Sequence, residues 1–282
     1  MPMTSKFTLF ALVMVVFAQM THAQDTTWHR GGAASINFSQ VQLKDWGGGG
    51  DNSLALNSLL SLFANYHFEK TRWENSLELG YGIVKQGDAG TRKADDKIIY
   101  VSKYNRDFVG PWKYSALLDF RTQFANGYDY SVPDSLRKPI SKFMSPAALT
   151  IALGADYRPN DKFSALISPV TGKATFVLDK QLSDLGSFGV KKGDKVYTEF
   201  GWFINSVYKT PLMTGIDFTS KVNMFSSYKK IKEVDVNWEN LILMKVNEYV
   251  SANLTAQFVY DKDVSNKWQI KEVFGAGLLY KF

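Results

Sequence analysis

The chain has 282 residues, with 33 Lys and Arg against 27 Asp and Glu for a formal charge of +6, 45% hydrophobic and 15% aromatic residues, and no cysteine. The missing cysteines exclude a disulfide-stapled scaffold and a lipid-anchored cysteine. The basic residues are scattered rather than clustered, which argues against nucleic acid as a partner, and the aromatic content favours strands over helices.

Lys6 precedes an apolar run from Phe7 to Ala18, and Thr21-His22-Ala23 follows it. This reads as a secretory signal peptide over residues 1–23, leaving one domain over 24–282. The run is too short to span a bilayer as a helix, and no later run approaches that length. Trp28 to Leu43 is expected as the first strand, with Ala34, Ile36 and Phe38 alternating against Ser35, Asn37 and Ser39. Asp45 to Asn52, with four glycines in succession, is a turn or loop. No Lys-Ser or Lys-Thr follows those glycines and a strand comes next, so they do not form a phosphate loop.

Ser53 to Phe68 sets Leu54, Leu56, Leu60, Leu62, Ala64, Tyr66 and Phe68 against Ser53, Asn57, Ser61, Asn65 and His67. At about 3.3 Å per residue it is long enough to cross a bilayer with tilt. Arg72 to Lys85 sets Trp73, Leu77, Leu79, Tyr81 and Ile83 against Glu74 and Glu78. Those carboxylates need water or a cation beside them. Gln86 to Asp96 reads as a polar loop and Lys97 to Phe108 as a strand. Trp112 to Phe124 carries an apolar face with an aromatic at each end, where a bilayer has its interfaces. A soluble sandwich would alternate as well, but would not need those aromatic ends.

Ala125 to Ser145 is the first long loop, Ala147 to Tyr157 a strand, and Arg158 to Asp161 a turn. Phe163 to Val177 is a strand interrupted at Pro169, which cannot donate to a ladder. Asp179 is positioned to cap a short helical turn ending at Leu185. Strands follow at Lys195 to Tyr208, Gly215 to Ser226, Val234 to Val246, Val250 to Tyr260 and Trp268 to Phe282, with a turn at Lys209 to Thr214 and a last loop at Asp261 to Lys267. The expected fold is all-β, a single transmembrane antiparallel barrel of about twelve strands (10–14), with short periplasmic turns, longer external loops, and first and last strands paired so that no edge is left in lipid.

The closing run W-Q-I-K-E-V-F-G-A-G-L-L-Y-K-F resembles the last strand of bacterial outer-membrane barrels. That resemblance implies a membrane-insertion signal at Phe282 and Tyr280, read by the barrel-assembly machinery. Trp28-x-x-Gly31-Gly32, Asn37-Phe38-Ser39-Gln40-Val41, Asp45-Trp46-x-Gly48-Gly49 and Ser168-Pro169-Val170-Thr171-Gly172-Lys173 together resemble a Bacteroidota outer-membrane β-barrel family of unknown function, the domain-of-unknown-function 3078 group. The resemblance would cover essentially the whole mature chain. It implies a Gram-negative outer membrane as location and lipid as surroundings, and transfers no catalytic residue.

Inward parity is expected for Glu74, Glu78, Lys113, Asp119, Arg121, Glu199, Asp217, Lys221, Asp235, Glu239, Lys245 and Lys271. They would form salt-bridged ladders in a narrow lumen, or a transverse field acting on a charged or sugar solute. No cofactor is expected, and no His/Asp/Glu cluster has metal-ligand spacing. Only His29 and His67 remain after maturation, so catalysis is not expected. The expected function is a porin-like passive channel or small-solute transport barrel. The alternatives are an accessory envelope barrel binding unidentified envelope partners through its loops, and an outer-membrane hydrolase.

Overall fold

The computed structural model describes residues 27–43 and 51–282. Residues 1–23 of the expected signal peptide and the glycine run through Gly50 lie outside the described residues. The strands are β1 (Trp28–Val41), β2 (Ser53–Phe68), β3 (Thr71–Gln86), β4 (Ala89–Val109), β5 (Trp112–Thr122), β6 (Gly127–Tyr128), β7 (Pro139–Ser141), β8 (Ala147–Asn160), β9 (Phe163–Phe176), β10 (Val196–Met213), β11 (Ile216–Ser227), β12 (Asp235–Lys245), β13 (Val250–Asp261) and β14 (Ser265–Lys281). All but β6 and β7 close into one antiparallel barrel of twelve strands, in the order β1-β14-β13-β12-β11-β10-β9-β8-β5-β4-β3-β2. β6 and β7 pair with each other in the long connection between β5 and β8. Among the described residues no helix is long and apolar enough to cross a membrane, which says nothing of strands.

Closure follows from the first and last strands. β1 and β14 run antiparallel from Ala33↔Lys281 to Phe38↔Ala276. The seam is extended where Gly32 N–H donates to the Phe282 carbonyl at 2.8 Å and Phe282 N–H to the Gly32 carbonyl at 3.0 Å. The expected pairing is therefore present, and it closes the ring of strands. Gly277 lets the strands meet there, because a Cβ on it would collide with the Ile36 carbonyl oxygen.

Chain alternation gives the barrel two different faces. On β14, Ile270, Phe274 and Leu278 point outward and are 63%, 67% and 62% exposed. Aromatic rings mark both ends of the outer wall. Near the rim that carries Trp28 and Phe282 lie Trp28 with Tyr66 and Trp73, Trp112 with Tyr157, and Tyr280 stacked on Phe282. Near the other rim lie Phe200 with Tyr228 and Tyr260 with Trp268.

The first rim is a turn rim. Its connections between β2 and β3, β4 and β5, β8 and β9, and β10 and β11 are two-residue turns, and that between β12 and β13 is short. The second is a loop rim, with the segments 123–146, 177–195 and 228–234. In the second of these, helix α1 (Lys180–Leu185) has Asp179 as its N-cap, accepting from Leu182 N–H. Leu182 packs with Val177 and Val190 under Phe188 and Tyr197.

Boundaries differ from the sequence expectation in several places. Residues 89–96 are strand rather than loop: Gly87 takes φ +52° and turns the chain in two residues, so that Gln86 pairs with Ala89. The segment looks polar on both sides because it projects past the apolar band, where neither face needs to be greasy. Arg158 to Asn160 continue β8, with Asn160 paired to Phe163, instead of turning. Lys209 to Met213 likewise continue β10, and Gly215 at φ +77° makes the turn. The interruption at Pro169 is a bulge, since the register shifts beside it against both β8 and β10. The Ser168 hydroxyl donates to the Leu153 carbonyl at 2.8 Å and accepts from Thr171 Oγ1 at 2.7 Å, which ties the bulge together.

Candidate functional site

Inward side chains come from alternate positions of every barrel strand, so residues far apart in sequence face one space. A cavity of about 600 Å³ opens at the turn rim beside Asp161 and Lys162 and runs inward to Asp119, Arg121 and Glu239. A second cavity, of about 190 Å³, continues toward the loop rim. Asp119, Arg121, Asn223 and Asn237 line both and form the neck between them.

Ion pairs cross this interior. Glu78 on β3 meets Lys221 on β11 at 3.1 Å and Lys97 on β4 at 3.2 Å. β3 and β11 stand six strands apart in either direction round the ring, so the first pair is a crossbar spanning the full lumen. Arg158 holds Glu74 through two hydrogen bonds, 2.9 and 2.8 Å, and Lys103 meets Asp156 at 2.6 Å in a fully buried setting. At the neck Arg121 grips Asp119 with two bonds of 2.7 Å. Toward the loop rim Lys173 meets Asp235 at 2.5 Å, and Lys271 pairs with Asp95. Such pairs offset the cost of placing charge in a confined interior, because each desolvated ion has a partner.

One wall is instead amide. Asn205, Asn223 and Asn237 are register partners across β10, β11 and β12. Asn205 Nδ2 donates to Asn223 Oδ1 at 2.8 Å, and Gln257 Nε2 on β13 donates to Asn237 Oδ1 at 3.0 Å. Another part of the wall is apolar: Leu117, Ala152, Leu166, Phe203 and Phe225 bury one another inside the barrel, with Val101 against them. The polar-lumen expectation missed this cluster, because each member sits singly between polar neighbours in its own strand.

The twelve residues expected on the inward face divide into groups. Glu74, Glu78, Asp119, Arg121, Lys221 and Glu239 line the larger cavity, and Asp235 lines the smaller. Glu199 lies with Asp235 and Lys230 in a tight space of about 10 Å³ at the loop rim. Lys113, itself buried, pairs with Asp107 beside the turn rim, and half-exposed Asp217 meets half-exposed Lys245 at 2.5 Å on the neighbouring strand. Lys271 is held by Asp95. Sequence reading missed Arg158, Lys97, Lys103, Asp95 and Asp156. Arg158 and Asp95 fell in segments read as turn or loop, whereas the strand parity of Lys103 and Asp156 was there to be used. Tyr280 and Phe282 are 60% and 57% exposed on the outer wall. Among the described residues no group of three His, Asp or Glu side chains is arranged to hold a metal ion. His67 sits near the turn rim, its backbone N–H on the Thr27 carbonyl at 2.8 Å.

The loop rim is closed by a separate network. Lys262 meets Glu233 at 2.6 Å, and Lys230 meets Asp263 at 3.5 Å and Glu233 at 3.6 Å, which links the β11–β12 and β13–β14 connections. The hydrogen bond from Lys262 holds the Glu233 carboxyl below the usual carboxylate range.

A family model described as a protein of unknown function (DUF3078) matches residues 38–128. The resemblance to the domain-of-unknown-function 3078 group is borne out over that stretch, which takes in Phe38-Ser39-Gln40-Val41 and the glycine run. It ends before Ser168 to Lys173 and does not extend over the whole chain as expected. No curated protein matches the sequence. Among solved structures, the chain aligns with the translocator domain of the autotransporter NalP from Neisseria meningitidis at 10% identity, covering 98% of this chain and 95% of that one, TM-score 0.37. It aligns with an outer membrane channel from Pseudomonas putida F1 at 12% identity over 93% and 98% of the two chains, TM-score 0.40. The outer membrane channel DcaP of Acinetobacter baumannii aligns at 10% identity over 91% and 96%, TM-score 0.31.

Proposed function

We propose that this chain is an outer-membrane β-barrel that passes small solutes through a narrow, charge-crossed lumen. A closed sheet with an apolar outer wall, aromatics at both rims and a polar interior suits a bilayer, because closure lets neighbouring strands satisfy one another's backbone groups round the ring. On this reading residues 1–23 direct export and are removed, the short turns face the periplasm, and Tyr280 and Phe282 serve recognition by the assembly machinery.

The observation that carries the channel reading is the pair of cavities meeting at Asp119, Arg121, Asn223 and Asn237. A purely structural barrel has no need of two adjoining cavities lined by charged and amide groups. The test is conductance of the purified full chain in planar bilayers, with heat-modifiable gel mobility reporting the fold. Discrete current steps are expected, and Lys221→Met should enlarge them by removing the Glu78–Lys221 crossbar.

A second reading, an accessory envelope barrel that engages partners through its loops, is favoured by the apolar cluster around Leu166 and by the crossbar itself, which fill much of the interior. Folded protein that gives no current steps while other envelope components co-purify with it would select this reading. We assign no reaction to the chain. A hydrolytic activity of the purified protein that vanished in His67→Ala would contradict that assignment.

A further inference from the structure

The geometry points to a binding site for a neutral polyhydroxylated solute, a sugar or sugar-like polyol, on the amide wall of the larger cavity. The inference deepens the channel reading and rests on it for its biological setting. Seven of the eleven charged residues lining this space are held in ion pairs, so an ionic solute would compete with them for partners, while Asp161, Lys162, Lys209 and Glu239 line it outside those pairs. Glu74 is held by Arg158, Glu78 by Lys97 and Lys221, and Asp119 by Arg121. Among the neutral polar groups of this space, the amides form a row that keeps most of its bonding capacity. Asn205, Asn223 and Asn237 stand side by side on adjacent strands, and the hydrogen bonds along the row use one bonding position of each. An amide offers two donors and an oxygen with two lone pairs, so most of that capacity remains. A row of mixed donors and acceptors matches hydroxyl groups, each of which both donates and accepts.

The facing wall supplies the other half of sugar recognition. Phe63 lies on β2, six strands from β10 in either direction round the ring, and lines the same cavity. Phe63 is 43% exposed although it projects into a polar lumen. An aromatic face left open among polar groups suits the apolar C–H face of a sugar ring. The volume of about 600 Å³ lies within the range of small-molecule sites.

The experiment measures binding of sucrose and glucose to the refolded full chain in detergent, by saturation-transfer NMR and calorimetry, with phosphate and arginine as charged controls. Saturable millimolar binding of the sugars is expected. It should weaken at least ten-fold in Asn223→Ala/Asn237→Ala and in Phe63→Ala. Asn223→Asp/Asn237→Asp, which keeps the side-chain shapes while removing the donors, should lose affinity in the same direction at unchanged heat-modifiable mobility. Folded wild type that binds neither sugar, Asn variants that bind as wild type does, or phosphate or arginine bound as tightly as sucrose would each overturn the inference. Because this binding is measured without a membrane, the two readings separate. A barrel that conducts but binds no sugar refutes this inference alone, and one that binds sugar without conducting refutes only the channel.

Discussion

Replacing Phe274 by arginine tests which solvent the outer wall meets. Phe274 lies on β14 midway between Trp268 and Tyr280, six residues from each, and its side chain is 67% exposed. Six residues of strand cover about 20 Å, and a tilt of about 40° leaves about 15 Å along the barrel axis. Trp268 and Tyr280 are then about 30 Å apart, the thickness of a bilayer's hydrocarbon core, with Phe274 at its midplane. Arginine there costs about 2–4 kcal/mol, whereas at an interface such as position 280 it costs about 0–1 kcal/mol. The larger figure is roughly a 30- to 700-fold fall in the folded-to-unfolded ratio. In water, the same substitution at an exposed site would change stability by no more than about 0.5 kcal/mol. Equilibrium unfolding in liposomes, followed by tryptophan fluorescence, measures the difference. Equal small effects for Phe274→Arg and Tyr280→Arg would refute the membrane reading of the wall.

The remaining predictions address the seam, the loop rim and the buried charges. Gly277→Ala places a methyl group against the Ile36 carbonyl oxygen and should abolish the heat-modifiable compact form, whereas Gly172→Ala, with nothing within 4 Å of the new carbon, should retain it. The pKa of the Glu233 carboxyl is lowered by its bond from Lys262, so its contribution to the loop-rim network is present above the ordinary glutamate range near pH ~4.3 and is lost as pH falls through the depressed value. Hydrogen exchange over 228–234, corrected for the intrinsic rate, should show protection falling below pH ~4 in the parent chain, with no such step in Glu233→Gln. Asp156→Ala leaves Lys103 buried without its counter-ion and should cost about 3–5 kcal/mol in urea unfolding, most of it regained in Lys103→Met/Asp156→Leu.

The wall was legible because its rule is local. A residue two positions along a strand returns to the same face, so Ile270, Phe274 and Leu278 declare an apolar side without reference to any other strand. Pro169 and Asp179 were legible for the same reason: Pro169 breaks the register wherever it sits in a ladder, and Asp179 caps α1 through Leu182, three residues away. The misplaced boundaries lie where that local rule stops applying. Residues 89–96 stand above the apolar band and alternate nothing, and Arg158-Pro159 has the composition of a turn while its backbone remains in β8.

The lumen obeys a different rule, set by closure. Glu78 finds Lys221 across 143 residues of sequence, and Lys271 finds Asp95 across 176. Parity says that these side chains face inward, but which of them meet depends on how many strands the ring contains and how each is staggered against the next. Lys221 reaches Glu78 because β3 and β11 are opposed in a ring of twelve, and a ring of ten or fourteen strands would turn those two walls away from each other. The same dependence makes the interior more specific than its composition. The amide row and Phe63 come from strands on opposite sides of the ring, and one shift of register on β10 or β11 would dissolve the row while leaving the outer face equally greasy. Strand number and register therefore determine what the lumen can bind, and the outer wall, repeated strand after strand, determines only where the barrel resides.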